Sequence, residues 1–406
     1  MRIVEVSTNL IPSPPLKGGA IERFVFNISK SLVALGLEVH LISVNKKRGI
    51  NKIDGIIRHT YPREISIFDE IIDKSMYKFN PHAKKLNTKT TLYIYNIMSF
   101  IKETYGSIDV IHNHSLTTAV SPILFQKTRS KNTLLIMHHH NVSQPNMINK
   151  VILKQYDLHL AVSKYVKNEI MKRFKIPAEK VLVVYNAINV NKYKCSDTKQ
   201  SKLRDLFGID GDGVVLLYVG RITPEKGLHH LIEAFKIVRR KLSSTKVKLF
   251  IVGPVGQFHS SSMRDVAYFQ FIEKLVYSYG LYNDIKYLGH YDENSILDAY
   301  TAADVVIVPS ICQEAFGLVI IEALASCKPV VAYPVGGVPE ILEPLNYGFL
   351  AKSVSPIELA EAIIKIISNY DNVNLGYLRE YVEKRFSIES VAKRLKTIFE
   401  MYVKNK

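Results

Sequence analysis

The stretch from Val308 to Leu342, V-P-S-I-C-Q-E-A-F-G-L-V-I-I-E-A-L-A-S-C-K-P-V-V-A-Y-P-V-G-G-V-P-E-I-L, leaves few folds open to this chain. Asp304-Val-Val-Ile-Val308 leads into it, and such an apolar run reads as a strand buried on both faces. A loop ends in Glu314-Ala315-Phe316-Gly317. Leu318 to Ser326 then carries Leu318, Ile321, Leu324 and Ala325 at helical spacing. Pro329 to Ala332 returns to an apolar strand before the Gly336-Gly337 turn. Strand, helix and strand in that order build a parallel sheet, so the fold class is α/β.

Chemistry is expected at the helix start. The first N–H groups of a helix have no intrahelical acceptor, so those of Phe316, Gly317 and Leu318 would form an anion site suited to phosphate. Gly317 allows a ligand to approach the main chain. Glu314 precedes the helix and Glu322 lies inside it. Like charge keeps both carboxylates from a phosphate, and both can accept hydrogen bonds from hydroxyls. A diphosphate flanked by a ribose and a sugar is the outline of a nucleotide-sugar.

The E-x7-E spacing of Glu314 and Glu322, followed by A-S-C-K-P-V-V-A and G-G-V-P-E, resembles the donor-site signature of family 4 retaining glycosyltransferases. That resemblance implies the GT-B fold, two Rossmann-like domains facing a central cleft. It also implies that Glu314 contacts the donor sugar and Glu322 the nucleotide ribose. Three further segments resemble the family in the same order. Gly18-Gly19-Ala-Ile-Glu22 is similar to its first loop, which closes over the donor diphosphate. Asp109-Val-Ile-His-Asn-His114 is similar to its D-V-V-H-x-H segment, which places His114 near the reacting sugar. Gly220-Arg221 through Lys226-Gly227 is similar to its G-R-x-x-x-x-K-G phosphate pair. Relatives usually read N-G-V-D where this chain has Asn186-Ala187-Ile188-Asn189, so no catalytic role is placed there. The resemblance also implies that the last helix, Ile388 to Val403, crosses back to the first domain.

The chain itself is long enough for more than one core. The expected domains are 1–190 with 388–406, for the acceptor, and 191–387, for the donor. Lys and Arg outnumber Asp and Glu by 30 to 14 in residues 1–200 and by 24 to 23 in the rest. Almost the whole net charge of +17 therefore sits in the first half. An anionic membrane, a lipid-phosphate acceptor or nucleic acid would each suit it, and so would solubility alone. Nucleic acid ranks last, because no basic motif with interleaved aromatics stands out. From about Ile65 to Tyr105 the chain looks helical, with Lys74, Lys78, Lys84, Lys85 and Lys89 among Tyr77, Phe79 and Tyr93. That mixture suits an anionic membrane surface or a solvated helical pair. No run of about 18 apolar residues spans a membrane. The N-terminus reads as a strand start, not a signal peptide. Three cysteines, Cys195, Cys312 and Cys327, are too few and scattered for a disulfide framework. A cytoplasmic protein, at most peripheral at the inner membrane face, is expected.

Smaller features complete the reading. Arg2 to Val6, the loop to Gly19 and a helix from Ala20 to about Leu35 form a Rossmann opening, whose amides from Gly19 onward could meet a phosphate. Val39 to Val44 and Gly55 to Arg58 read as strands. In a strand His112 and His114 point one way and Asn113 the other. The run His138-His139-His140 invites a zinc reading, but adjacent strand residues face opposite sides, and no supporting ligand motif accompanies it. His140, and Asn186 at the end of a later strand, are placed in the acceptor cleft. Asp210-Gly211-Asp212 mimics a D-x-D metal motif but sits in a linker, where it reads as a turn. Gly253, after the strand Val247 to Val252, is placed near the nucleotide. Arg221 and Lys226 would clamp a leaving diphosphate. No metal and no cofactor are expected beyond a UDP- or GDP-sugar donor, with a glycan, lipid-linked or small-molecule acceptor. An epimerase on the same fold and a non-catalytic coat protein remain alternative readings.

Overall fold

The computed structural model describes residues 1–15, 19–62, 88–195, 202–209, 213–256, 262–292, 294–404 and 406. Gly18, the lysines 74, 78, 84 and 85, Tyr77, Phe79 and Asp210-Gly211-Asp212 lie outside them, as does the side chain of Lys89. The chain divides into two units, Met1–Ala187 with Ile388–Lys406, and Ile188–Ser387.

The first unit is built on β1 (Arg2–Val6), β2 (Glu38–Asn45), β3 (Gly49–Ile53), β4 (Ile56–Pro62), β5 (Val110–Asn113), β6 (Leu134–His139), β7 (Leu158–Ala161) and β8 (Val181–Val183). They lie in the order β3-β4-β2-β1-β5-β6-β7-β8. Every pairing is parallel except β3 with β4. That exception is a hairpin closed by Asp54 and Gly55, both at positive φ (49° and 82°). Asp-Gly is a favoured pair for such a turn, since both central positions need the left-handed region. The strand expected at Gly55 to Arg58 is therefore the second arm of a hairpin, running Ile56–Pro62.

Strands β5, β6 and β7 are buried along their whole length. They read as apolar runs because helices cover both faces of a parallel sheet. One of these, Ala20–Ala34, turns Phe24, Val25, Ile28 and Leu32 inward, at helical spacing. It packs against the last helix, Ile388–Lys404, whose Val391, Leu395, Ile398 and Phe399 join the same core. The Lys396 ammonium donates to the Leu35 carbonyl at 2.8 Å, closing one edge of that contact. The helix ahead of β5 is Thr88–Tyr105.

The second unit is a five-stranded parallel sheet of β9 (Val214–Val219), β10 (Val247–Val252), β11 (Ile285–Gly289), β12 (Val305–Val308) and β13 (Val330–Ala332), ordered β11-β10-β9-β12-β13. The helix Leu318–Ala325 connects β12 to β13 and packs on the helix Leu375–Phe386.

The cysteine reading needs a correction. Cys195 and Cys327 form a disulfide, with Cα atoms 5.1 Å apart across 132 residues of sequence. Sequence spacing concealed this because a third segment brings the two together. The Arg379 guanidinium donates to the carbonyls of Tyr193, Val190 and Ala325, binding the segment before Cys195 to the end of the helix before Cys327.

Leu395 is fully buried in the last helix and Lys393 is exposed. Leu395→Ala should cost about 2–5 kcal/mol in urea unfolding, and Lys393→Ala less than about 0.5 kcal/mol. Equal midpoints for the two variants would remove this helix from the core.

Candidate functional site

The residues expected to bind a donor gather at the carboxyl ends of β9 and β12. After β9 the chain passes Gly220 and half-buried Arg221, whose carbonyl accepts from the Tyr218 hydroxyl at 2.7 Å. A short 3-10 turn, Pro224–Lys226, follows, and Gly227 opens the helix Leu228–Lys241. Gly227 has φ +69°, and a Cβ there would lie 2.0 Å from the Pro309 carbonyl oxygen, so the backbone after β12 packs directly on this turn. Ile311 N–H donates to the Glu225 carbonyl at 3.1 Å, lacing the two loops together.

That lacing sets Lys226 against Glu314. The ammonium lies 2.5 Å from Glu314 Oε1, and the Ser310 hydroxyl donates to the same oxygen at 2.6 Å. The far side of the Glu314 loop is held by the Gly336-Gly337 turn. Gly337 N–H donates to the Glu314 carbonyl at 2.8 Å, and a Cβ on Gly336 would stand 2.0 Å from that carbonyl oxygen. Three residues on, Gly317 caps the Leu318–Ala325 helix at φ 117°. Phe316 is buried, edge-on to Phe386 at 5.6 Å. Glu322 sits one turn into the helix, where Tyr300 donates to its Oε2 at 2.9 Å. Burial first, and then the Glu322 charge, push the Tyr300 hydroxyl well above its ordinary range, which keeps it a donor. Arg221, Lys226, Glu314, Gly317, Leu318 and Glu322 are therefore all carried at one end of one sheet. Gly253 stands there too, where a Cβ would meet the Gly220 carbonyl oxygen at 1.8 Å. Its glycine identity follows from this backbone packing.

The first unit has a polar centre of its own. Gly19 caps the Ala20–Ala34 helix, and Glu22 in its first turn is buried and accepts from Thr8. His112 and His114 share one face, as period-two alternation requires, with ring centroids 4.2 Å apart. Asn113 faces the other way, toward Met137 and Thr118. The three histidines at the end of β6, His138, His139 and His140 just beyond it, split in the same manner. His138 and His140 turn toward His112 and His114, while His139 pairs with His159 at 2.9 Å on the opposite face. Phe24 packs edge-on against His114, His138 and His140. His140 also hydrogen-bonds the Asn186 side chain.

Glu5 ties the cluster together, and sequence reasoning passed over it. It lies on β1 opposite His112 of β5, fully buried. His112 Nδ1 approaches Glu5 Oε1 at 3.1 Å and His114 Nε2 approaches Glu5 Oε2 at 2.7 Å. One acid in the apolar run of β1 was its only sequence signal. Ser310 and Tyr300, which hold the two second-unit carboxylates, were equally unmarked. No metal was expected, yet ligand atoms of His112, His114 and His138 lie within 4.8 Å of one another. Two strands meeting side by side did what adjacency in sequence could not.

Residues 199–385 match the family profile described as glycosyl transferases group 1, and residues 18–192 match that of glycosyltransferase family 4. The chain is 28% identical to the lipopolysaccharide 1,2-N-acetylglucosaminetransferase of Salmonella typhimurium, over 100% of this chain and 98% of that one. It is 31% identical to an uncharacterized glycosyltransferase of Methanocaldococcus jannaschii, over 60% of this chain and 59% of that one. Among solved structures it is similar to Anabaena Alr3699/HepE in complex with UDP. That likeness has a TM-score of 0.72 at 21% identity and covers 99% of this chain and all of that one.

Burial lowers the pKa of His59 and His159 to about 4 and of His140 to about 3, and holds His114, His138 and His139 well below the usual imidazole value. The folded state keeps these groups neutral, while unfolded chains protonate them near pH 6.5. Their stabilisation is therefore complete above pH 6.5 and is lost as pH falls toward 4, by up to about 1.4 kcal/mol per pH unit for each group. The thermal midpoint should drop steadily from pH 7 to pH 5. A flat midpoint over that range would contradict the buried neutral cluster.

Proposed function

The chain belongs to glycosyltransferase family 4 and has the GT-B fold, and on that footing we propose that it is a retaining enzyme moving a sugar from a nucleotide-diphosphate donor to an acceptor hydroxyl. The observation that carries this is the Lys226–Glu314 pair at 2.5 Å, set just ahead of a glycine-capped helix that bears Glu322. Arg221 and Lys226 take the diphosphate, with the first amides of the Leu318–Ala325 helix. A diphosphate would draw Lys226 from Glu314 and leave that carboxylate for the sugar hydroxyls. Glu322 takes the ribose. Gly253 shapes this end of the sheet through backbone packing, and Phe316 through its buried ring against Phe386. A uridine nucleotide is favoured, because a relative of the same fold is a complex with UDP.

The first unit takes the acceptor, with His140 and Asn186 assigned to its cleft and His114 to the reacting sugar, while Gly18 and Gly19 are assigned to the donor. Attack comes from the face the leaving group departs. The departing phosphate accepts the acceptor's proton, and the fixed cations stabilise the charge that grows on it. No separate base and no metal are needed for that step. An epimerase is the weaker reading, since relatives such as the Salmonella typhimurium and Streptomyces kanamyceticus proteins are named as transferases.

A glycan or lipid-linked acceptor fits the basic first half. The helix Met147–Leu153 exposes Met147 and Val151 beside Lys150 and Lys154, a mixture suited to an anionic membrane face. Among the described residues no helix is long and apolar enough to cross a membrane. We place the protein in the cytoplasm at the inner membrane face.

A panel of UDP-, GDP- and ADP-sugars should raise the thermal midpoint for one nucleotide class, by the equivalent of about 2.7 kcal/mol at a hundred times Kd. Lys226→Ala should lower kcat about 100- to 1,000-fold. Full turnover by that variant would refute the diphosphate assignment. Release of nucleotide and epimerised sugar without an acceptor would establish the epimerase instead. On the membrane side, flotation with anionic vesicles should be strong at low salt and weak at high salt. Equal recovery with neutral lipid would remove the membrane contact.

A further inference from the structure

Glu314 Oε1 has two donors, Lys226 Nζ at 2.5 Å and the Ser310 hydroxyl at 2.6 Å. They are not equivalent. Ser310 stands in the same loop as Glu314, four residues earlier, and is only 3% exposed. If Glu314 swung away, that buried hydroxyl would lose its acceptor, which is strongly unfavourable. The main chain around Glu314 is fixed as well. Gly337 N–H donates to the Glu314 carbonyl at 2.8 Å, and Gly336 N–H donates to the Gln313 side chain at 2.7 Å. Ile311 N–H donates to the Glu225 carbonyl at 3.1 Å. Lys226 comes from a different loop, the turn Pro224–Lys226, and reaches Glu314 on a long, flexible stem. When the pair opens, the lysine moves and the carboxylate stays.

That asymmetry gives the pair a second use. The lysine assigned to a diphosphate is already paired with a carboxylate of the protein's own. A ligand that brings only a diphosphate must part the two. It then leaves Glu314 with Ser310 alone, a negative group beside negative phosphate. A ligand that also carries a sugar brings hydroxyls, which can donate to Glu314 in place of Lys226. We propose that Glu314, held by Ser310, is a built-in competitor for Lys226, so that the site favours an intact nucleotide-sugar over a bare nucleoside diphosphate and helps to expel the nucleotide once the sugar has left it. The proposal rests on the transferase reading of this site and adds a direction to it.

Two consequences distinguish this from an ordinary ion pair. Glu314 acts on the diphosphate through Lys226, whereas simple repulsion between Glu314 and phosphate would act with or without that lysine. Ser310 is a positioning residue. It touches neither diphosphate nor sugar in this scheme, and its hydroxyl keeps the Glu314 carboxylate in place while Lys226 exchanges partners. After transfer Glu314 has lost the sugar hydroxyls and recovers Lys226, so the nucleotide is left with Arg221 and the helix amides.

The test is calorimetry on the full chain, with UDP, GDP and ADP set against their glucose and N-acetylglucosamine esters. Glu314→Gln should tighten the bare diphosphate about fivefold, the size of one partly exposed ion pair. The same variant should weaken the nucleotide-sugar about tenfold, through the lost charged acceptor. In the Lys226→Ala background the gain for the bare diphosphate should vanish, because the double-mutant cycle removes the group competed for. Ser310→Ala should raise KM for the nucleotide-sugar about tenfold, with the affinity for the bare diphosphate little changed, and Ser310→Thr should restore it. A bare diphosphate that binds no tighter to Glu314→Gln would overturn the proposal. So would a gain that persists without Lys226, which is the mark of simple repulsion. If Glu314→Gln does not fold, Glu314→Asp, which draws the carboxylate back from Lys226, should tighten the bare diphosphate in its place. If no nucleoside diphosphate binds, or if Lys226→Ala leaves its affinity intact, the transferase reading of the site fails and the competitor with it. If it binds through Lys226 and the Glu314 variants do not tighten it, the competitor fails alone.

Discussion

Parallel pairing is the constraint on which the rest of this molecule depends. A parallel strand must be followed by a crossover, so every carboxyl end in a sheet points to the same edge and every helix begins there. The loops leaving β9, β12, β5 and β6 are accordingly where Lys226, Glu314, His114 and His140 stand. The strands behind them are buried on both faces and carry little but apolar side chains. Polar chemistry is thus confined to sheet ends and to a few buried exceptions, and those exceptions are informative.

The two units handle their charges differently. In the second unit Glu314 and Glu322 are partly exposed at the sheet edge, and each is held by a neighbour that a ligand could replace or join, Lys226 with Ser310 in one case and Tyr300 in the other. In the first unit Glu5 is sealed inside and satisfied by two imidazoles. An exposed, paired carboxylate can be recruited by substrate. A buried one cannot move or lose its partners without a large cost, so it serves to order what surrounds it. The lacing of Glu225 to Ile311 and of Glu314 to Gly337 gives the second unit comparable order through the main chain.

Much of this was legible one element at a time. The 3.6-residue pattern of the Leu318–Ala325 helix and the apolar runs of β9, β10 and β12 announce themselves, because burial on known faces writes a period into the residues. Period-two alternation was enough to place His112 and His114 together and Asn113 apart. The Asp54-Gly55 turn was also readable, and its missed hairpin was a failure to use turn chemistry that the residues carry. Glu5 was different. A lone acid in an apolar strand has no local signature of its role, and its partners lie more than 100 residues away.

The amino-acid order alone determined the kind of layers, the glycine-led helix starts and which side chains share a strand face, since each depends on residues a few positions apart. Only the tertiary structure decided that Glu5 meets His112 and His114, that His138 and His140 join them, that Lys226 reaches Glu314 and that Cys195 bonds Cys327. Each of those contacts is made between segments whose distance along the chain bears no relation to their distance in space. They exist because strand order in a parallel sheet is set by which faces bury best, not by which strands follow one another.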